Sequence, residues 1–179
     1  MLDQIGAARP AGDIVDLLLD CHVRIRRFTD IALRLGAARG APPAEVAEAA
    51  AAVHRYLSEA LPLHAQDEEE SLLPRLAGKD PDVDRALVEM HRQHEMHGPI
   101  LDRVVTLCAT LAATPERHGE LADELAGAAR ALRDHFDGHL APEEETIFPA
   151  IRRILGDEER AAMVRELRAR RGAADHSSR

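Results

Sequence analysis

The chain has no tryptophan, one tyrosine and three phenylalanines. An interior must therefore be assembled from Leu, Ala, Val and Ile. No stretch is rich in β-branched residues, which excludes a sandwich or barrel. Only two cysteines are present, Cys21 and Cys108, with no CxxC pair. That excludes a disulfide framework and a zinc–thiolate site, and both read as small buried apolar residues. An excess of positive charge is also missing: the net charge is −9, and the basic residues are spread along the chain. A nucleic-acid partner needs a basic face and is excluded. No apolar run approaches the length of a membrane span. The start, MLDQIGAARP, has no apolar stretch after a basic one, so no signal peptide is read. These absences together predict a soluble cytoplasmic protein with no membrane partner.

Strong helix formers fill the space, chiefly Ala, Leu, Glu and Arg. At 179 residues, one domain with a real core is expected. Apolar residues at Ile14, Leu17, Leu18, Cys21, Ile25, Phe28, Ile31, Ala32 and Leu35 follow helical spacing after Asp13, a candidate N-cap. GAARGAPP (36–43) separates this helix from a second, over about 44–77, with Pro62 as an expected kink. GKDP (78–81) opens a third to about 112, which Gly98-Pro99 should bend or split. Thr114-Pro115 opens a fourth, ending near Leu155-Gly156 and carrying Pro142 inside it. Asp157 caps a short fifth helix. The fold class is thus all-α: an up-down-up-down four-helix bundle with a short additional C-terminal helix. Residues 1–12 form an N-terminal segment, 13–156 the bundle, 157–171 the C-terminal helix and 172–179 a flexible tail. The last helix packs across one end or offers a contact for a homo-oligomer or protein partner.

The chain has ten histidines, and histidine interrupts the apolar stripe of all four main helices, where an amphipathic helix ordinarily excludes polar residues. Two phrases stand out. HAQDEEESLLP occupies 64–74 and HLAPEEETIFP occupies 139–149. Each holds a histidine, a glutamate four residues on, a hydroxyl residue, two large apolar residues and a proline. Residues four apart share a helix face, so His64 points with Glu68 and His139 with Glu143. Glu69, Glu70, Glu144 and Glu145 rotate away toward solvent. A carboxylate turned into a core alone is costly. A divalent metal accepts imidazole and carboxylate together, and a carboxylate can bridge two metals. The first and third helices supply His22 and His94. Aligning these two helices makes the chain two tandem hairpins, each with a histidine on its first helix and HxxxE on its second. The nitrogen and oxygen donor set suits iron or manganese and tolerates zinc.

The pattern His22, His64xxxGlu68, His94, His139xxxGlu143 resembles the hemerythrin-like, or HHE cation-binding, family. Its signature H…HxxxE…H…HxxxE and the ending EEESLLP/EEETIFP are similar over most of the chain. The resemblance implies a non-heme di-iron centre with an oxo or hydroxo bridge, bridged by two glutamates. Its implied ligands are His22, His64, Glu68, His94, His139 and Glu143. Oxygen-carrying hemerythrins differ in using HxxxH on the third helix and HxxxxD on the fourth. That difference favours the broader HHE branch, associated with iron, dioxygen, nitric oxide or peroxide.

A fifth histidine stays open between His97 and His91, each about 60° from His94 around the helix. His135 and Tyr56 are further candidates near the metals or in their surroundings, with core packing the alternative for Tyr56. His54, His118 and His176 read as surface residues. The expected function is binding of, or reaction with, a small oxidant, including a catalase-like consumption of peroxide. The alternative is an iron- or oxygen-responsive sensor or partner-binding module without turnover.

Overall fold

Four long helices follow one another with short connections in the computed structural model, which describes residues 12–177 and side chains as far as residue 172. The N-terminal segment expected over 1–12 lies, except for Gly12, outside the described residues, as does the side chain of His176. Helix α1 is Ile14–Ala37. Helix α2 runs over 43–76, opened by Pro43 at its first turn. Helix α3 is Pro81–Ala113. A 3-10 turn, Pro115–Arg117, leads into α4 over 118–154. Helix α5 is Asp157–Ser177. Among the described residues there is no strand, and no helix is long and apolar enough to cross a membrane. The protein is all-α, as the composition predicts.

Short loops make consecutive helices antiparallel, and α1 closes the ring by packing on α4. The closest approach is at Gly36, where a Cβ would lie 2.6 Å from the Ala126 backbone nitrogen. Any side chain there would drive the two helices apart. Two apolar layers fill the bundle. The first gathers Ile25, Ala32, Val53, Leu57, Val104, Leu125 and Phe136. The second gathers Ile14, Leu18, Leu72, Leu87, Ile147 and Phe148, and α5 covers it with Met163, Val164 and Leu167. Each fully buried Leu or Ile contributes about 2 kcal/mol of transfer free energy. Cys21 and Cys108 are buried and unpaired, as read.

Several local expectations are corrected. Gly98-Pro99 does not split α3, which continues through it. Asp13 holds the N-cap position of α1 as expected, but its side chain makes no capping bond; the carboxylate instead accepts from Arg152 at 2.9 Å. Asp80 is the side chain that caps, accepting from the Asp82 and Val83 amides ahead of α3. Helix α5 runs on to Ser177 beyond Arg171. His118 is buried rather than on the surface, with Nε2 2.8 Å from the Leu35 carbonyl.

Helices α2 and α4 widen into π-helical turns at Tyr56–Ala60, Asp67–Leu72 and Glu143–Ile147. In each, the residue just before a proline donates its amide five residues back: Leu61 to Tyr56, Leu73 to Glu68, and Phe148 to Glu143. Proline has no amide hydrogen, and its ring crowds the carbonyl four residues earlier. Widening the preceding turn relieves that crowding. Pro99 and Pro142 lie in ordinary helix, so proline permits the wide turn without forcing it. Such turns gather at functional sites, and here two of them begin beside a buried glutamate.

Candidate metal centre

Between the two apolar layers lies a buried polar one. His22, His64, Glu68, His139 and Glu143 are each 3% exposed or less, and His94 is nearly covered. Each of the four main helices contributes. His22 comes from α1, His64 and Glu68 from α2, His94 from α3, and His139 and Glu143 from α4. The widened turns aim the two glutamates at each other's histidines. Glu68 has Oε1 3.3 Å from His64 Nε2 and Oε2 3.2 Å from His94 Nε2. Glu143 has Oε1 3.1 Å from His139 Nε2 and Oε2 3.0 Å from His22 Nε2. Each carboxylate thus lies between a histidine of one hairpin and a histidine of the other. Phe148 seals the His22 side at a ring separation of 4.9 Å.

The outer ring nitrogens explain the orientation. His22 Nδ1 lies 2.7 Å from Glu144 Oε1, and His94 Nδ1 lies 2.6 Å from Glu69 Oε1. His139 Nδ1 lies 2.8 Å from Gln93 Oε1. All three acceptors require the hydrogen on Nδ1, which turns the lone pair of Nε2 inward. Lone pairs of imidazole then face carboxylate oxygens, acceptor against acceptor. The inner contacts are accordingly short without being hydrogen bonds. His22 Nε2, both nitrogens of His64 and all four carboxylate oxygens of Glu68 and Glu143 are buried with no hydrogen-bond partner. Native interiors leave few such atoms unpaired. Seven in one layer call for a cation.

Electrostatics agree. Burial pushes His64 down to about 3. Burial, reinforced by His97 and His94, pushes His139 down to about 2. Both imidazoles are neutral, the form that ligates metal. Burial raises the Glu68 and Glu143 carboxyls above their ordinary range, Glu143 also through the charge of Glu68. Burial lowers His94 too, but Glu68 and Glu69 on its two nitrogens outweigh it and raise it to about 9. The same pull of the two carboxylates would act on a cation held between them.

Two four-residue groups could each hold a metal ion, with candidate donor atoms within 4.8 Å of one another: His22, His64, Glu68 and Glu143, and Glu68, His94, His139 and Glu143. The two groups share both glutamates, the arrangement of a pair of ions under two bridging carboxylates. The residues present fit such a pair in number, charge and donor type.

A family model described as Hemerythrin HHE cation binding domain matches residues 13–111 and again 97–176. The chain belongs to the hemerythrin HHE cation-binding family. The two matches overlap within α3 and together span the bundle and most of α5. A comparison with curated proteins finds no match.

The remaining histidines of this HHE domain are now separated. His97 joins His94 and His139 in a third group able to share an ion, its ring 4.7 Å from that of His139. His91 points outward and is 55% exposed, held by Glu69 at 2.9 Å. His135 contacts His97 and lies beside the central layer, its ring 6.4 Å from that of His139. Tyr56 stacks on Phe28 at 4.2 Å and donates to the Cys21 carbonyl, so it is a packing residue. Glu69 and Glu144, read as solvated, are partly buried and hold His94 and His22. Sequence reasoning missed them and Gln93. Their signal was adjacency: Glu69 and Glu144 occupy the same place in the two repeated phrases. A pocket of about 250 Å³ opens beside His94 and His97, with Leu61, Leu101 and Phe136 in its wall.

Proposed function

We propose that this HHE domain holds two iron ions and that the pair binds or reacts with a small oxidant such as dioxygen, peroxide or nitric oxide. The observation that carries this reading is the convergence of four imidazole nitrogens on two buried, unpaired carboxylates. His22 and His64 would ligate one ion, His94 and His139 the other, with Glu68 and Glu143 bridging and His97 a fifth nitrogen on the second. The donors include no thiolate, which favours iron, or manganese, over soft-metal chemistry.

Iron, when bound, supplies the redox chemistry and a Lewis-acidic coordination position. The chain's own groups do the rest. Glu144, Glu69 and Gln93 fix the tautomer and angle of three histidines. Phe148, packed on the His22 ring, shields the inner face on that side. The apolar pocket beside His97 admits a small uncharged molecule and disfavours a large or strongly charged one.

Protein expressed with iron and purified in air should carry two irons per chain and consume hydrogen peroxide catalytically. Replacing Glu68→Gln and Glu143→Gln together should remove both properties while the helical spectrum persists. Less than one iron per wild-type chain, or an unchanged iron content in the double variant, would refute the reading. Full iron without peroxide turnover would leave binding of dioxygen or nitric oxide as the function.

A further inference from the structure

The two halves of the metal layer are not supported alike. In the second repeated phrase the residue before the buried glutamate is Pro142. In the first it is Asp67, whose side chain is completely buried. Arg170 lies 2.9 Å and Arg171 2.6 Å from its two oxygens, and both arginines come from the end of α5. Arg170 also donates to Ser71 Oγ at 2.8 Å and to Glu70 at 3.2 Å. Arg171 reaches Cys21 Sγ at 3.8 Å. Cys21 precedes His22 in the chain, as Asp67 precedes Glu68. One guanidinium therefore ties together the residues immediately before a candidate ligand on α1 and one on α2.

We infer that Arg171, acting with Arg170 through Asp67, is a positioning residue for the His22/His64 half of the metal centre. The inference rests on the two-metal reading above. Asp67 opens the wide turn that carries Glu68, and a buried carboxylate fixed from two directions gives that turn one orientation. The wide turn of the other half is held at Glu144 by the exposed Arg26 and by His22, and among the described residues no arginine of α5 reaches it. The histidines of that half, His94 and His139, are held by Glu69 and Gln93. On the first half, His64 Nδ1 has no partner at all, so α5 supplies constraint that the histidine's own surroundings lack. The C-terminal helix is thus part of the metal site's frame, and the two positions differ in how firmly they are built.

The test is a metal titration of the full chain, in which ferrous ion or cobalt(II) is added against a competing chelator and binding is followed optically. Wild-type protein should bind two ions. In Arg171→Gln and in Asp67→Asn, binding should weaken about 10- to 100-fold, the range for lost support of a metal ligand, most at the ion held by His22 and His64 and less at the other, which shares Glu68. Arg171→Lys should recover part of the loss. Met163→Ala, which loosens α5 through its apolar face, should lower the melting temperature and leave both binding steps unchanged. Two wild-type-strength steps in folded Arg171→Gln would overturn the inference alone. Weakening by Met163→Ala to the same degree would overturn it in favour of general stability. A wild-type chain that takes up no metal would overturn the two-metal reading, and the inference with it.

Discussion

Glu69 and Glu144 each follow a buried glutamate by one position, and each fixes the far nitrogen of a histidine on a neighbouring helix. Arg26 holds Glu144 from the other side at 2.7 Å, and His91 does the same for Glu69. Neutralising either carboxylate keeps the hydrogen-bonding shape but removes the charge that raises the ligand's basicity. Glu69→Gln and Glu144→Gln should each weaken metal binding about 10- to 100-fold, measured by chelator competition, with the fold intact by circular dichroism. Wild-type affinity in both would reduce these residues to surface charges. The sequence placed them in solvent because one residue turns about 100° around a helix. That geometry describes one helix alone. It omits the neighbour, and α1 and α3 pack closely enough that the next face meets a histidine. The ligand candidates were legible for the opposite reason: an i, i+4 pair is a property of one helix. His118 was misread because the residue that satisfies it, Leu35, is far away in sequence.

At the scale of the helix, the proline that ends each repeated phrase gains a physical role. Pro74 and Pro149 follow turns whose amides reach back to the Glu68 and Glu143 carbonyls. Pro149→Ala restores an amide donor and removes the crowding at the Glu145 carbonyl, so the turn can tighten. Glu143 then rotates away from His22 and His139. Metal affinity should fall about tenfold or more, while helical content stays the same or rises in the far-ultraviolet spectrum. Unchanged affinity would separate the proline from the geometry of the glutamate. The phrase's repetition was readable in the sequence, but its wide turn was not. An i, i+4 spacing looks the same in both kinds of helix, and Pro142 shows that proline by itself does not decide between them. Helix α5 outran its expected end for a related reason. Residues 172–177 carry no apolar stripe, so nothing in the pattern marks them as helical.

The whole molecule is two apolar layers separated by one polar layer, and it is the polar layer that distinguishes it from an ordinary bundle. Both apolar layers follow from helical periodicity, which is why the fold was largely legible. The polar layer violates that periodicity at His22, His64, Glu68, His94, His139 and Glu143, and such violations mark sites where function overrides packing. How the two hairpins share the glutamates was not legible. Each carboxylate reaches a histidine from the other hairpin, a relation that only the packed bundle creates. The central claim is that Glu68 and Glu143 bridge two ions. The most direct test is anomalous diffraction at the iron edge from crystals of iron-loaded protein. Two peaks are predicted in the polar layer, one bonded to His22 and His64, the other to His94 and His139, with both glutamates reaching both peaks. A single peak, or ions bound away from Glu68 and Glu143, would contradict it.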